Sequence, residues 1–534
     1  MRQHIILSCF LLACLPLPAL AHDCAELARL TLPRAHIDAA RNVAAGAFLP
    51  PNLEPGQVAP DTFRKAPAFC RVQASLKPTA QSDIQVEVWL PESGWNGRFR
   101  GIGNGGFAGY IDYEGLAAAL DQGYASASTD TGHRGGDAAW ALGAPQKVVD
   151  FGYRAVHEMT AFAKTVVHVR YHKPAARAYF SACSNGGRQA LMEAQRFPSD
   201  YDGIIAGAPA ANWTHLLANG LGVTQQATTP TGYIPPAKLA SVTRAVLDAC
   251  DAKDGVDDGI LGDPRQCRFD PADLLCRDAG TDSCLTAPQV ETLRTIYHGV
   301  HDHDGKRIFP GLMPGAESYH GAWERWITGK QPGKSAFAFF AGNYFGNMVY
   351  DQHDWQIDNA NIDTALALAT RKTASTLNAV DADIRPFVAH GGKLILYHGW
   401  NDPAIAPMAT VAYFDAVTKS LGPEASANAV RLYMVPGMLH CAGGPGPNDF
   451  GQYDGATQGD AGHDILATLV RWVEHDVAPT AIIAAKHVDD APAKPVLMTR
   501  PLCPWPQFAR YDGHGDSNDA SSFACVTPPP AGNN

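Results

Sequence analysis

From Arg98 to Ala206 the chain alternates short strand-like runs with longer amphipathic ones, and this alternation limits the fold more than any other feature. Arg98 to Ile102 reads as a strand. Val148 to Tyr171 carries Tyr153, Val156, Met159 and Ala163 on one helical stripe and leads into the strand Arg177 to Ala182. Arg188 to Phe197 is helical until Pro198 stops it, and Gly203 to Ala206 is a further buried strand before Gly207-Ala208-Pro209. Strand, helix, strand, helix, strand in that order predicts parallel pairing through right-handed crossovers. Upstream, Ile84 to Leu90 alternates and is rich in β-branched residues. With the turn from Pro91 to Gly97 and the run to Ile102, it predicts a β-hairpin entering the sheet.

The rhythm returns late in the chain. Lys393 to Gly399 is an apolar strand, Ala409 to Leu421 a helix, Val430 to Val435 another strand, and Asp464 to His475 a helix with Ile465, Leu469 and Trp472 at helical spacing. Between Ala211 and Ile384 it is lost, and the text is rich in Gly, Asp, Cys and aromatics such as Trp323, Trp326, Phe337, Phe339, Phe340 and Tyr344. This predicts a single α/β core, residues 22–210 and 385–534, interrupted by an inserted lid, residues 211–384. A second independent domain over the same stretch is the competing reading.

The formal charge is -11, with 42 Lys plus Arg against 53 Asp plus Glu, so the basic excess that general nucleic-acid binding requires is missing. At the start, Arg2 precedes the apolar run Ile5 to Leu20, and Ala19-Leu20-Ala21 offers small residues for signal peptidase. Residues 1–21 are therefore expected to be a signal peptide cleaved before His22, with the mature protein secreted or periplasmic and off the membrane. A membrane anchor competes, but the run is short and broken by Pro16 and Pro18. Leu11-Leu12-Ala13-Cys14 also allows a lipoprotein reading.

Of the 12 cysteines, Cys9 and Cys14 leave with the signal. The even remainder in an exported chain predicts disulfides, while the absence of any CxxC argues against a zinc–thiolate site. Local pairing suggests Cys24 with Cys70, Cys250 with Cys267, Cys276 with Cys284 and Cys503 with Cys525. Cys183 and Cys441 are then left for each other.

Phe180-Ser181-Ala182-Cys183-Ser184-Asn185-Gly186-Gly187-Arg188 lies between a predicted strand and a predicted helix. That is the setting of a nucleophile elbow, where a sharp turn presents a serine and needs small residues two places either side, here Ala182 and Gly186. The partners are expected later, acid before histidine. Asp402 follows the strand from Lys393 and His440 follows the strand from Val430, which completes a Ser184, Asp402, His440 triad in the required order. A Cys183–Cys441 bridge would tie the neighbours of Ser184 and His440 together.

These residues resemble the tannase and feruloyl esterase family, which also holds mono(2-hydroxyethyl) terephthalate hydrolase. The resemblance rests on Cys183-Ser184-Asn185-Gly186-Gly187-Arg188, Gln195-Arg196-Phe197-Pro198 with Tyr201-Asp202-Gly203, Gly207-Ala208-Pro209, His398-Gly399-Trp400 with Asp402, and Gly437-Met438 with His440-Cys441. It implies an α/β-hydrolase core, a lid, five disulfides and the same triad, with Ala182 standing where the family usually has glycine.

Gly103-Asn104-Gly105-Gly106-Phe107-Ala108-Gly109 follows the strand ending near Ile102, where such a hydrolase draws its second oxyanion donor. Gly106 is the expected donor, with Gly105 as the alternative, beside the N–H of Asn185. Asp251, Asp254, Asp257 and Asp258 crowd one Gly-containing loop, an arrangement that a hard cation would relieve and that otherwise reads as a solvated acidic turn. The resemblance implies a structural calcium ion held by Asp251, Asp254 and Asp258 and by the carbonyls of Val256 and Ile260, serving lid stability. His398 and Ile405 flank Asp402 and are expected to touch substrate, His398 alternatively being a satisfied core histidine.

Together these features predict a secreted serine esterase acting on small aromatic esters of the feruloyl type. Galloyl esters and terephthalate monoesters are the alternatives within the chemistry. A catalytically silent, calcium-stabilised carbohydrate-binding protein and calcium-assisted hydrolysis are the alternatives outside it. Oligomeric state is not readable.

Overall fold

The computed structural model describes residues 23–51, 58–277, 283–452 and 459–527. The expected signal peptide lies outside them. Nine strands build one sheet: β1 (Ala35–Val43), β2 (Phe69–Leu76), β3 (Ile84–Pro91), β4 (Arg98–Ile102), β5 (Ala125–Thr129), β6 (Arg177–Cys183), β7 (Gly203–Gly207), β8 (Lys393–Gly399) and β9 (Val430–Val435). Their order is β1-β2-β3-β5-β4-β6-β7-β8-β9, antiparallel from β1 to β5 and parallel from β5 to β9. This is an α/β-hydrolase sheet.

One expectation is corrected. β3 and β4 do not form a hairpin, because β5 lies between them and pairs antiparallel with β3 and parallel with β4. The helix Tyr113–Asp121 crosses over after β4 and returns the chain to that slot. β5 reads Ala-Ser-Ala-Ser-Thr and is buried throughout, so it has neither the bulk nor the one-sided polarity that marks a strand in sequence.

The helix expected from Val148 to Tyr171 forms over Pro145–Val149 and Ala155–Tyr171, joined by a π-turn at Asp150–Arg154. The guanidinium of Arg188, wholly buried, donates to carbonyls of that turn, to Gly152 at 2.7 Å and Phe151 at 3.0 Å. It also grips the side-chain oxygen of Asn185 at 2.7 Å. An arginine without a carboxylate partner is thus satisfied by oxygens alone, and the helix behind the nucleophile is fixed to the turn of its neighbour.

The described residues between 211 and 384 form helices at Trp213–Thr228, Pro236–Cys250, Ala287–His298, Ala336–Asn343 and Ile362–Leu377, joined by irregular connections that carry short helical turns. Their apolar cluster includes Trp213, Leu217, Phe337 and Tyr344 and extends to Phe107, Ala404, Ile405 and Leu439 on the loops above the sheet. The five bridges are Cys24–Cys70, Cys183–Cys441, Cys250–Cys267, Cys276–Cys284 and Cys503–Cys525. They suit an oxidising compartment. Among the described residues no helix is long and apolar enough to cross a membrane.

Candidate active site

Ser184 stands between β6 and the helix Asn185–Arg196 at φ 66° and ψ -123°, a conformation that an L-residue adopts only under constraint. The constraint is close packing. A Cβ added to Gly186 would lie 2.5 Å from the Ala182 methyl, and one on Gly187 would lie 2.3 Å from the Gly207 carbonyl. Ala182 is tolerated because it faces glycine on both sides, Gly186 and Gly103.

Three strand ends bring the triad together. His440 Nε2 lies 2.9 Å from Ser184 Oγ and His440 Nδ1 lies 2.8 Å from Asp402 Oδ2. The carboxylate can only accept, so Nδ1 carries the proton and Nε2 is free to take the serine's. Asp402 Oδ1 accepts the N–H groups of Ala404 at 2.7 Å and Ile405 at 3.0 Å. Burial alone would push this carboxyl up, but the imidazoles of His440 and His398 outweigh it and hold Asp402 well below the usual carboxylate range. It therefore stays ionised at any pH where a histidine base works.

The glycine-rich loop is locked to the nucleophile's helix. Asn104 N–H donates to Gln189 Oε1 at 3.1 Å, the Gln189 amide returns a bond to Asn104 Oδ1 at 2.8 Å, and Asn185 Nδ2 donates to the Asn104 carbonyl at 3.0 Å. Gly105 N–H is taken by the Tyr110 hydroxyl at 3.0 Å. Gly106, at φ 59°, lines the pocket with Ser184, Asn185 and His440. Gly105 N–H is therefore already engaged, while Gly106 borders the pocket beside Asn185. From behind, His133 Nε2 donates to the Phe107 carbonyl at 2.6 Å, and its ring stacks on Trp140 at 3.9 Å. Burial pushes His133 down to about 4, so this strut stays neutral at working pH. Nothing in the sequence pattern had singled out His133, because it follows the unrecognised strand β5.

The pocket is narrow, with a cavity volume of about 50 Å³ over the nucleophile. Its walls are Trp213, Leu216, Leu217, Trp326, Phe337 and Phe340, with Ala404 and Ile405 beside the acid loop. Trp326 meets His440 edge-on at 5.1 Å and stacks with Phe340 at 6.0 Å. Ile405 lines the pocket, whereas His398 does not: it is fully buried beneath Asp402, with Nε2 3.0 Å from Asp402 Oδ2, the setting of the core-histidine alternative.

Such a site supports acyl transfer by a serine, and comparison with known proteins places the chain among esterases. The family model described as "Tannase and feruloyl esterase" matches residues 70–526. The chain belongs to the tannase and feruloyl esterase family. It is 43% identical to an "Uncharacterized esterase" of Xanthomonas campestris pv. campestris, covering 95% of this chain and 91% of that one. It is 35% identical to a "Probable feruloyl esterase B-2" of Aspergillus flavus over 84% of this chain and 85% of the relative. The crystal structure of feruloyl esterase B from Aspergillus oryzae superposes with a TM-score of 0.86 at 28% identity, covering 94% of this chain and 99% of that one. The protein is thus a carboxylic ester hydrolase, and its substrate is an ester.

Away from the triad, this esterase folds the acidic loop after Cys250 so that Asp251 Oδ1 is buried with no hydrogen-bond partner. Asp251 Oδ2 takes the Gly259 N–H, and Asp254 takes the N–H groups of Val256 and Gly262. Asp258 takes those of Ile260 and of Arg500. Burial, aided for Asp251 by Asp257 and Asp258, pushes Asp251 and Asp254 up to about 6, and Asp258 also rises. The orphaned Asp251 oxygen, beside the half-buried Asp254 and Asp258, is one that a hard divalent cation would satisfy, although the three carboxylates do not converge on one point as they stand. The loop does not touch the lid alone: Ile260 Cγ2 lies within 3.3 Å of the Cβ position of Gly437, at the start of the His440 loop.

Proposed function

We propose that this is an exported serine esterase that cleaves esters of hydroxycinnamic-type aromatic acids through an acyl-enzyme, with a calcium ion in the loop 251–260. His440 Nε2 takes the proton as Ser184 Oγ attacks the ester carbonyl, and Asp402 stabilises the imidazolium that forms. The N–H groups of Asn185 and Gly106 receive the developing oxyanion, each such donor contributing ~3 kcal/mol. His440 then returns the proton to the leaving alcohol, and water repeats the cycle on the acyl-enzyme. Asp251, Asp254, Asp258 and the carbonyls of Val256 and Ile260 would hold the calcium, which supplies charge neutralisation and no step of the reaction.

The observation that carries the choice of acid is the pocket wall. Aromatic and aliphatic side chains suit an aryl ring, and among the described residues no Lys, Arg, Asp or Glu lines the cavity. A galloyl ring carries three hydroxyls where a feruloyl ring carries one, and each hydroxyl buried without a partner costs about 1–3 kcal/mol, while a terephthalate carboxylate would enter uncompensated at greater cost. Methyl ferulate should therefore exceed methyl gallate and a terephthalate monoester in kcat/KM by at least about tenfold. Preference for either rival in a side-by-side assay would reject the hydroxycinnamate assignment, and no turnover of any of the three would favour a silent binding protein.

Calcium gives a second expectation. Carboxyls whose folded values are raised favour the fold when protonated, and that contribution is lost as pH rises through about 6. The chelated protein should lose melting temperature between about pH 4 and pH 6, and added calcium should restore it in proportion to its free concentration. A melting temperature indifferent to chelator, in protein shown by elemental analysis to have carried calcium, would reject the site.

A further inference from the structure

We propose that His398 is a positioning residue of the catalytic acid: its Nε2–H holds Asp402 Oδ2 in line with His440 and, by sharing that oxygen, limits how strongly His440 is drawn to protonation. This rests on the serine esterase reading above. His398 sits near the end of β8, with no exposed surface, under the helix Pro407–Leu421. Its Nε2 faces two oxygens that have no hydrogen to give, Asp402 Oδ2 and the Ile405 carbonyl, each at 3.0 Å. The ring nitrogen must therefore supply the proton. Nδ1 lies 2.8 Å from Thr410 Oγ1, a hydrogen bond that holds the ring in this orientation.

The carboxylate of Asp402 thus receives four donors. The two backbone N–H groups hold Oδ1, while Oδ2, the oxygen that serves His440, is held on the protein side by His398. Without that bond the carboxylate can swing about its anchored oxygen, and the His440 imidazole loses its fixed bearing on Ser184. A buried histidine that needed only satisfaction of its polar atoms already has Thr410 and the Ile405 carbonyl. The additional bond to the triad's own oxygen links it to the reaction.

Charge gives the sign of the effect. A second N–H on Oδ2 draws negative charge from the side facing His440, so the imidazolium is less stabilised than by a singly bonded carboxylate. Removing the donor makes His440 easier to protonate, and the acid limb of the kcat/KM profile moves to higher pH. The titratable groups acting on Asp402 are His440 and His398. The helix above contributes Thr410, and the pocket side contributes Trp326 against His440, neither of which ionises in this range.

The test compares His398→Leu, His398→Gln and Thr410→Val with the parent enzyme on methyl ferulate, taking kcat and KM across the pH range, with Ser184→Ala alongside. His398→Leu should lower kcat about tenfold, leave KM within about twofold because the side chain is outside the pocket, and move the acid limb upward. His398→Gln, whose amide can reach the same oxygen, should recover most of kcat. Thr410→Val should shift the limb the same way by less. A folded His398→Leu enzyme with parental kcat and limb overturns the inference, as does a folded His398→Gln enzyme no better than His398→Leu. If His398→Leu does not fold, a Thr410→Val limb at the parental position overturns it. Residual turnover by Ser184→Ala near the parental rate overturns the underlying reading instead, whereas an inert Ser184→Ala enzyme leaves that reading standing whatever the His398 result.

Discussion

Replacing Ser184 with alanine is expected to reduce ester hydrolysis by about 10⁵–10⁶-fold, with the melting temperature within a few degrees of the parent. The magnitude follows from the way triad members act as a unit: once the nucleophile is gone, His440 and Asp402 have no proton to move, and only oxyanion stabilisation and binding remain. The small stability effect follows from the site. The Ser184 hydroxyl bonds to His440 at 2.9 Å and faces the pocket, so its loss leaves no cavity in the core. The strained backbone at φ 66° is enforced by Ala182, Gly186 and Gly207, none of which changes. Circular dichroism and melting curves check the fold, and kcat/KM on methyl ferulate checks the chemistry. Turnover within tenfold of the parent in correctly folded protein would exclude the serine mechanism.

The next largest effect is expected from the bond between Cys183 and Cys441, whose Cα atoms are 6.1 Å apart across a sequence separation of 258. A double Cys183→Ser, Cys441→Ser enzyme should lose about a hundredfold in kcat, more than its loss of stability would suggest. In the entropic account a loop of this length favours the folded state by about 5 kcal/mol, but four other bridges already restrict the unfolded chain, so the realised loss is smaller. Geometry is not diluted in that way. Cys441 holds φ 67°, a left-handed conformation, immediately after His440, and its partner immediately precedes Ser184. Free of the bridge, the His440 loop can relax that residue, and a displacement near 1 Å between base and nucleophile costs on the order of a hundredfold. Kinetics at a temperature where the variant stays folded decide the matter. Unchanged kcat with only a lowered melting temperature would reduce the bridge to an ordinary staple.

The sequence disclosed the strand–Ser184–helix turn because its steric demand falls on neighbours in the chain, where small residues are visible. It disclosed the order of acid and base because each follows an apolar strand. β5 was hidden since Ala125 to Thr129 is buried by packing among small side chains, a condition that leaves no alternation to read. The false hairpin followed from that gap. The π-turn at Asp150–Arg154 was hidden for a related reason: the apolar stripe from Tyr153 through Ala163 lies almost wholly in the regular helix beyond it, and the Arg188 contact to its carbonyls comes from a later helix. For His398, which flanks Asp402 in sequence, a substrate contact and a core position were equally open. Its true side depends on the Asp402–Ile405 turn, which aims Ile405 at the pocket and leaves His398 behind the carboxylate. Trp326 and Phe340 were legible as aromatic lid residues, but their approach to His440 and to Gly106 is a fact of three-dimensional packing.

The most direct test of the account is covalent labelling of the nucleophile. The protein is treated with an aryl phosphonate ester, whose stable adduct resembles the tetrahedral intermediate, and examined by intact mass and peptide mapping. The account predicts one adduct per chain, on the peptide carrying Ser184, with loss of activity in step with labelling and no adduct in Ser184→Ala protein. Full activity in stoichiometrically labelled protein, or inactivation with the adduct on any other residue, would contradict it.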